Sequence, residues 1–402
     1  MNIKLIRLLP ILLLAAACSG CATVRHPVPP DLVDKVQIAN MPEVRTMSGE
    51  SHTMLQESLV ASIKDERPGD FTVGPDGVKI YPVLAISGGG ANGAYGAGLV
   101  KGWSEEGSRP IFKVITGVST GAIIAPFVFL GKDYDDDLEK CYTTMSTKDV
   151  VGLKPPFTML LGDSLVSNAP LARTIARVAN EKVLKEIAEQ HRHGRRLFVG
   201  TANLDAQKFV TWDMGAIACR GDIELFRKVI LASAAIPVIF PPSVFYVEAD
   251  GKKYDEMHAD GGTITQVFSL YGLLDGMQDA AKKMGIDPSK IRGKLYIIRN
   301  GYMSSRYKNV KDSLPALAER SFDMIIDSQG VGDVYRIYVC TKQKGTDYNL
   351  AYIPADFDPD SKEMFDPAAM TRLFKRGYDD ARNGYKWHKE PPGLDVPKKS
   401  EK

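Results

Sequence analysis

The sequence predicts an α/β protein. Two apolar, β-prone runs each lead into a glycine-rich turn and then into a run of helical length, and the two turns begin about 30 residues apart. The first unit has its strand at residues 81–86, its turn at 88–93 and its helix at 94–106; the second has its strand at 114–118, its turn at 117–121 and its helix at 122–130. A strand, a tight turn and a helix in that order are typical of an α/β core.

The second turn reads G-x-S-x-G, with Gly117, Ser119 and Gly121 at its fixed positions. Glycine lets the backbone fold sharply without a Cβ clash, so the serine hydroxyl is presented at the tip of the strand. The N-terminus of the following helix favours negative charge at the same place. We therefore predict that Ser119 is a catalytic nucleophile on an elbow shaped by the two glycines. A serine that only caps the helix is the alternative.

The first turn contains three consecutive glycines, Gly88, Gly89 and Gly90. Its spacing also fits G-x-G-x-x-G, but the acidic residue that a dinucleotide site needs at the end of the next strand is absent, so we reject nucleotide binding. Consecutive glycines expose backbone N–H groups that can hold a tetrahedral oxyanion. Removing one such donor typically costs roughly 3 kcal/mol in the barrier, so a stretch made of glycine alone suits an oxyanion loop.

A catalytic serine needs a base, and two residues near one turn are candidates. Of the six histidines, only His258 lies near a plausible site, two residues before Asp260 in the turn Asp260-Gly261-Gly262. A carboxylate of ordinary pKa is a poor base for an alcohol, so Asp260 can take the proton directly only if burial raises its pKa. The sequence leaves three alternatives: Asp260 as the base, a Ser-His-acid triad through His258, and an ordinary β-turn.

Taken together, these blocks resemble a known family. An x-G-G-G-x-x-G loop, a G-x-S-x-G turn about 30 residues later and a late D-G-G turn resemble the signature of patatin-like phospholipases, and residues 232–237 resemble that family's A-S-A-A-x-P block. The resemblance spans residues 78–300. It implies a three-layer α/β/α sandwich with a central, mostly parallel sheet, and lipid ester hydrolysis without a cofactor or metal. It also implies a dyad of Ser119 as nucleophile and Asp260 as proton acceptor, with Gly88, Gly89 and Gly90 as the oxyanion loop.

The chain departs from this family at two positions of the loop. Ser87 stands where the family usually has aspartate, and Asn92 stands where it has arginine or lysine. A missing cation removes a contact for a phosphate head group, so the choice between phospholipid and another acyl ester stays open. A non-catalytic envelope protein that binds lipid or a partner on the same fold is the alternative from another functional class.

The N-terminus has the pattern of an export signal. Lys4 and Arg7 precede an apolar run at residues 8–14, which is too short to span a bilayer. Small residues then lead to Cys18 and Cys21, which resembles a bacterial lipobox; Cys18 fits slightly better. We expect a lipid anchor on a membrane leaflet, with outer-membrane sorting because no aspartate follows either cysteine. A plain secretory signal cleaved near Ala17 is the alternative.

The whole chain divides into four regions. We predict a signal segment at 1–21, a linker and N-terminal extension at 22–77 with a helix at 51–64, an acyl hydrolase domain at 78–345, and a C-terminal appendage at 346–402 with one helix and a disordered tail. Within the domain, further helices are expected at 170–190, 223–235 and 313–327, and further strands at 197–202, 209–213, 295–299 and 335–340.

Composition and cysteine usage exclude other classes of function. The formal net charge is +2 and 44% of residues are hydrophobic, which gives no electrostatic basis for binding nucleic acid. Cys141, Cys219 and Cys340 are scattered without metal-ligand spacing. We expect them to be small buried side chains.

Overall fold

The structure is a computed structural model, and it describes residues 25–48, 53–154, 164–269, 278–279, 281–343 and 345–394. The signal segment with Cys18 and Cys21, and the predicted tail from residue 395 onwards, lie outside the described residues.

The described residues contain ten strands that form one sheet. In chain order the strands are β1 (Gln37–Ile38), β2 (Arg45–Met47), β3 (Lys79–Ile86), β4 (Val114–Val118), β5 (Arg196–Asn203), β6 (Lys208–Asp213), β7 (Ser243–Ala249), β8 (Lys252–Asp260), β9 (Ile291–Arg299) and β10 (Asp347–Tyr352). Their spatial order is β1-β7-β8-β5-β4-β3-β9-β10, with β6 paired to both β5 and β2. The block from β5 through β4, β3 and β9 to β10 is parallel. The remaining pairs are antiparallel, so the sheet is mixed around a parallel centre.

Helices cover both faces of this sheet. Those in the described part of the chain are α1 (Thr53–Lys64), α2 (Gly93–Glu106), α3 (Thr120–Leu130), α4 (Asp135–Thr144), α5 (Thr147–Val150), α6 (Ala169–Val178), α7 (Glu181–Arg192), α8 (Met214–Cys219), α9 (Ile223–Ser233), α10 (Leu314–Gln343) and α11 (Pro367–Arg382).

The central strands bury side chains on both faces, which makes the protein a three-layer sandwich. Along β3, Leu84 and Ile86 belong to one core cluster while Val83 and Ala85 belong to the other. This alternation follows from the two-residue period of a strand. Helices α1 and α10 cover the second cluster, and most other helices pack on the first. The predicted α/β/α sandwich is confirmed.

The predicted strand at residues 335–340 is wrong. Those residues continue helix α10, which runs without interruption from Leu314 to Gln343. Val334, Ile337 and Thr341 are buried, and their spacing of three and four residues is helical. The β-branched and aromatic composition indicated a strand, but the pattern of burial against the sheet decided for a helix.

The helix predicted at residues 170–190 is two helices, α6 and α7. The side chain of Asn180 between them accepts hydrogen bonds from the N–H groups of Lys182 and Val183, at 3.0 and 3.1 Å. Asparagine at an N-cap starts a new helix by satisfying such N–H groups. The helical periodicity was visible in the sequence, and the internal cap was missed.

The region after residue 345, predicted as a separate appendage, packs as part of the main α/β unit. Strand β10 joins the main sheet alongside β9, and α11 packs against α2 with Met370, Leu373 and Phe374 buried. The one helix predicted in this region is α11, and Asp366 caps its start, since its carboxylate accepts from the N–H groups of Ala368 and Ala369. These residues complete one edge of the sandwich.

The hairpin of β7 and β8 is not among the strands predicted from the sequence. The two strands pair over seven registered positions, from Ser243 with His258 to Ala249 with Lys252. The hairpin matters because β8 ends at Asp260.

None of the helices in the described part of the chain is both long and apolar enough to cross a membrane.

Candidate active site

Ser119 lies on a sharp turn between β4 and α3. Its backbone has φ 55° and ψ −122°, a conformation that a non-glycine residue adopts only when its surroundings impose it. A Cβ on Gly117 would lie 2.3 Å from the carbonyl oxygen of Gly121, and a Cβ on Gly121 would lie 2.3 Å from that of Ile86. Neither position can carry a side chain, so both glycines are needed for the elbow.

Strand β5 brings Asp260 to this elbow. Residues 198–200 of β5 pair with both β4 and β6, and residues 201–203 pair with both β6 and β8. Because a strand has only two edges, β4 and β8 must share the edge opposite β6. Val118 pairs with Gly200 and Asp260 pairs with the next residue, Thr201, so the two strands meet end to end. Two residues far apart in the chain thereby become neighbours.

The side chain of Ser119 is close enough to the carboxylate of Asp260 to lower its pKa. This carboxylate also accepts the N–H of Gly262 at 2.7 Å. Only 5% of Asp260 and 7% of Ser119 is exposed. Burial raises the pKa of Asp260 to about 7, although Ser119 and the hydrogen bond from Gly262 act in the opposite direction. This carboxylate can therefore accept a proton near neutral pH.

The glycine loop lies against the serine side chain. A Cβ on Gly88 would lie 3.2 Å from the Cβ of Ser119. The N–H of Gly88 donates to the carbonyl oxygen of Gln266 at 2.9 Å, so it is already occupied. No described residue accepts a hydrogen bond from the N–H of Gly89 or Gly90. Of the three predicted donors, these two have the capacity to bind an oxyanion.

The departure at Ser87 has a structural role. Its hydroxyl donates to the carbonyl oxygen of Gly88 at 2.6 Å and accepts the N–H of Asn300 at 2.8 Å. The Asn300 side chain donates to the carbonyl oxygen of Ser87 at 3.0 Å and accepts the N–H of Gly96. Ser87 and Asn300 thus hold the start of the loop against the end of β9. Asn300 had no recognisable signal in the sequence.

Residues of the A-S-A-A-x-P block hold both halves of the site. The hydroxyl of Ser233 accepts the N–H of Ser119 at 2.9 Å and donates to the carbonyl oxygen of Gly200 at 2.7 Å. The carbonyl oxygen of Ala235 accepts the N–H of Asp260 at 2.9 Å. The block was recognised from its sequence pattern, and the structure gives it a positioning role.

His258 is fully buried, and its ring contacts neither Ser119 nor Asp260. Its Nδ1 lies 2.9 Å from the hydroxyl of Thr201, and its Nε2 lies 3.2 Å from the carboxylate of Glu256. Because the ionised carboxylate of Glu256 can only accept, the proton of the neutral ring is on Nε2, and the hydroxyl of Thr201, which accepts from Trp212 at 2.8 Å, donates to Nδ1. Burial lowers the pKa of His258. With both nitrogens engaged, this histidine is not placed to act as the base.

The described residues contain no group of histidine, cysteine and acidic side chains that could hold a metal ion. Cys141, Cys219 and Cys340 carry free thiols, and the expectation that all three are buried is wrong, because Cys219 is exposed and the other two are half-buried. Cys141 lines a cavity of about 510 Å³ between α3, α4, α6 and α7, which contains neither Ser119 nor Asp260. Burial raises the pKa of its thiol to about 12, so it is unreactive at neutral pH.

Comparison with known proteins finds a family model that matches part of the chain. Residues 84–268 match the family model described as patatin-like phospholipase, a range that contains the glycine loop, Ser119 and Asp260. No functionally curated protein matches the sequence.

Two solved structures are similar to the chain. VipD from Legionella pneumophila has 13% sequence identity and a TM-score of 0.37, with 78% of this chain and 69% of VipD covered. The type III effector protein ExoU has 12% identity and a TM-score of 0.25, with 77% of this chain and 55% of ExoU covered.

The family match, and not these distant structures, supports hydrolysis of lipid acyl esters as the general activity. The chain carries a patatin-like phospholipase domain at residues 84–268.

Proposed function

We propose that this protein is a serine hydrolase of lipid carboxylic esters that uses a dyad of Ser119 and Asp260. The observation that carries the proposal is the contact between a strained serine and a buried carboxylate whose pKa is raised to about 7. A base with a pKa near the working pH combines availability with proton affinity. An aspartate of ordinary pKa, near 4, lacks that affinity.

The proposed reaction has two steps. The Oγ of Ser119 attacks the ester carbonyl carbon while its proton passes to Asp260, and the carbonyl oxygen becomes an oxyanion held by the N–H groups of Gly89 and Gly90. The intermediate then expels the alcohol, which takes the proton from Asp260 and leaves an acyl-serine. Water attacks this ester with Asp260 again as base, and the carboxylic acid leaves as the serine recovers its proton.

Gly88 has a different part in this proposal. Its N–H is bound to Gln266, so we assign it to holding the loop in place rather than to binding the oxyanion. Its small size leaves space beside Ser119 for the reacting carbonyl, because a Cβ there would approach the serine Cβ at 3.2 Å.

The substrate class follows from the family and from Asn92. Patatin-like phospholipases give the expectation of a lipid acyl ester. Asn92 leaves the loop without the cation that would contact a phosphate, so we propose that the acyl ester and not the head group is the main determinant. Parallel assays on phosphatidylcholine, lysophosphatidylcholine and a neutral diacylglycerol test this by the ratio of their kcat/KM values.

Ser119→Ala and Asp260→Asn test the dyad on a chromogenic acyl ester. We expect the first to lower kcat by about 10⁴-fold or more, and the second by about 10²- to 10⁴-fold. Labelling by a fluorophosphonate should occur in the wild type and disappear in Ser119→Ala. Undiminished turnover in either variant refutes the dyad.

His258→Gln separates the dyad from a triad. With Asp260 as base, folded His258→Gln should keep a turnover within a few-fold of wild type, whereas a triad requires a loss like that of Ser119→Ala. A wild-type protein that neither hydrolyses esters nor labels at Ser119 would instead be a non-catalytic binding protein.

We also propose that the protein is exported and tethered to the bacterial envelope by lipid on Cys18, with Cys21 as the alternative position. Membrane fractionation and labelling with a fatty-acid analogue test this in Cys18→Ser, Cys21→Ser and the double variant. Loss of label in one single variant identifies the modified cysteine. Label retained in the double variant contradicts the proposal.

A further inference from the structure

Gln266 contacts three separate elements around the site with three different groups. Its carbonyl oxygen accepts the N–H of Gly88 at 2.9 Å, which holds the glycine loop. Its side-chain Nε2 donates to the carbonyl oxygen of Gly262 at 3.1 Å, which holds the turn that carries Asp260. Its own N–H donates to the carboxylate of Asp333 at 2.7 Å. Gln266 is itself 6% exposed.

The side chain of Gln266 fills the space between the loop and the turn. A Cβ on Gly88 would lie 2.6 Å from its Oε1, and a Cβ on Gly262 would lie 2.4 Å from its Nε2. The loop and the Asp260 turn therefore contact opposite ends of one amide group. A change in its position would alter the distance between the proposed oxyanion donors and the proposed base.

Asp333 holds Gln266 from a distant part of the chain. It lies on α10, is 3% exposed, and accepts the N–H groups of both Gln266 and Val267, the latter at 3.4 Å. Arg336, one turn later on the same helix, forms an ion pair with the other carboxylate oxygen of Asp333. Asp333 contacts none of the residues that we assign to the reaction.

We infer that Gln266 is a positioning residue that keeps the glycine loop and the Asp260 turn in register, and that Asp333 fixes Gln266 in place. This inference rests on the proposed function for its kinetic consequence, while its structural consequence stands independently. Displacement of reacting groups by about 1 Å can cost about 100-fold in rate. We call Gln266 and Asp333, with their hydrogen bonds, the clamp. Loss of the clamp should therefore lower kcat more than it changes KM.

The primary test compares Asp333→Ala with Asp333→Asn and with Glu319→Ala. Asparagine keeps an oxygen that can accept the two N–H groups, and Glu319 is an exposed carboxylate on the same helix that pairs only loosely with Lys308 at 3.5 Å. We expect a 10- to 100-fold loss of kcat in Asp333→Ala with KM within about two-fold, a substantial recovery in Asp333→Asn, and wild-type values in Glu319→Ala.

Hydrogen–deuterium exchange gives a readout that needs no activity. Asp333→Ala should increase exchange in peptides covering residues 86–93 and 258–268, although Asp333 touches only the second segment. A merely destabilising substitution, such as Ser62→Ala in α1, should raise exchange without this local pattern. If Asp333→Ala does not fold, Gln266→Met is the second variant, because it removes the bond to Gly262 while keeping the backbone bonds.

The outcomes separate the two proposals. Unchanged exchange at residues 86–93 in folded Asp333→Ala overturns the clamp. So does a loss of kcat in Asp333→Ala that is fully explained by the fraction of unfolded protein. A kcat of Asp333→Asn no higher than that of Asp333→Ala overturns it as well. Increased local exchange in a protein whose wild type has no esterase activity supports the clamp and refutes the proposed function.

Discussion

The backbone N–H of Ser119 donates a 2.9 Å hydrogen bond to the hydroxyl of Ser233, and this hydroxyl donates in turn to the carbonyl oxygen of Gly200 at 2.7 Å. Gly200 lies where β4 ends, one residue before the position at which β8 ends. The ladder on this edge of β5 is interrupted there. Ser233, fully buried, satisfies two groups that the interruption would leave without partners.

Ser233→Ala should therefore damage both stability and catalysis. It leaves a buried N–H and a buried carbonyl unsatisfied, at about 1–3 kcal/mol for each group. It also releases the strained backbone of Ser119, so we expect kcat to fall by about ten-fold or more. Urea unfolding and steady-state kinetics measure the two effects.

Ser62→Ala is the matched control for this substitution. Ser62 is also fully buried and donates to a carbonyl oxygen, that of Gly194, at 2.6 Å, but it lies on α1 away from the site. It should lose stability and keep the kcat of the folded enzyme. Equal kcat in the Ser233 and Ser62 variants would contradict a role for Ser233 in shaping the elbow.

The rate should depend on pH through Asp260. Only the ionised carboxylate can accept the serine proton, and its pKa is raised to about 7. Below that pH, kcat/KM should fall by about ten-fold per pH unit, and above it the rate should level off. The measurement is kcat/KM on a soluble ester from pH 5 to 9, corrected with Ser119→Ala as the blank. A midpoint near pH 4, or a flat profile, would contradict the assignment.

The raised pKa of Asp260 also has a consequence for stability. The folded state binds the Asp260 proton more tightly than the unfolded chain, so the free energy of unfolding falls as pH rises from about 4 to about 7. At pH 8 the ionised carboxylate costs the folded state on the order of 4 kcal/mol. Asp260→Asn removes this charge and keeps an oxygen that can accept the N–H of Gly262. It should therefore be more stable than wild type at pH 8.

The advantage of Asp260→Asn should shrink by about 1.4 kcal/mol per unit as pH falls below 7, and disappear near pH 4. Urea midpoints at pH 8, 6.5 and 5 check this, with Asp222→Asn at the start of α9 as the control. A difference between variant and wild type that stays constant with pH would show that the effect is not the Asp260 charge.

Gly89 and Gly90 should respond differently to alanine. A Cβ on Gly89 would lie 2.0 Å from the carbonyl oxygen of Asn300, and its φ of 150° strains any L side chain. A Cβ on Gly90 meets nothing within 4 Å, so Gly90→Ala has only the cost of a φ of 56°, about 1–2 kcal/mol.

We expect Gly89→Ala to abolish activity or folding and Gly90→Ala to remain folded with measurable turnover. Circular dichroism measures whether each variant is folded, and ester hydrolysis measures its turnover. Equal tolerance at both positions would mean that the loop is not held against Asn300.

The sequence by itself determined the local geometry of the site. Gly89, Gly117 and Gly121 are required by close backbone approaches, and such requirements are visible residue by residue because no other side chain fits. The strand before Ser119 was predicted with the bounds that the structure shows, and the α/β/α class is confirmed. Helix α10 was predicted only in part, because strand-like composition at residues 335–340 concealed a helical pattern of burial.

Only the tertiary structure decided which distant residues meet. Asp260 reaches Ser119 because β4 and β8 share one edge of β5, a pairing between segments more than a hundred residues apart that no local pattern encodes. The same arrangement places both nitrogens of His258 against Thr201 and Glu256. It also places Ser233 and Gln266 where their hydrogen bonds hold the elements of the site. Backbone conformation follows from neighbouring residues, whereas strand partners and buried hydrogen bonds follow from how the whole chain packs.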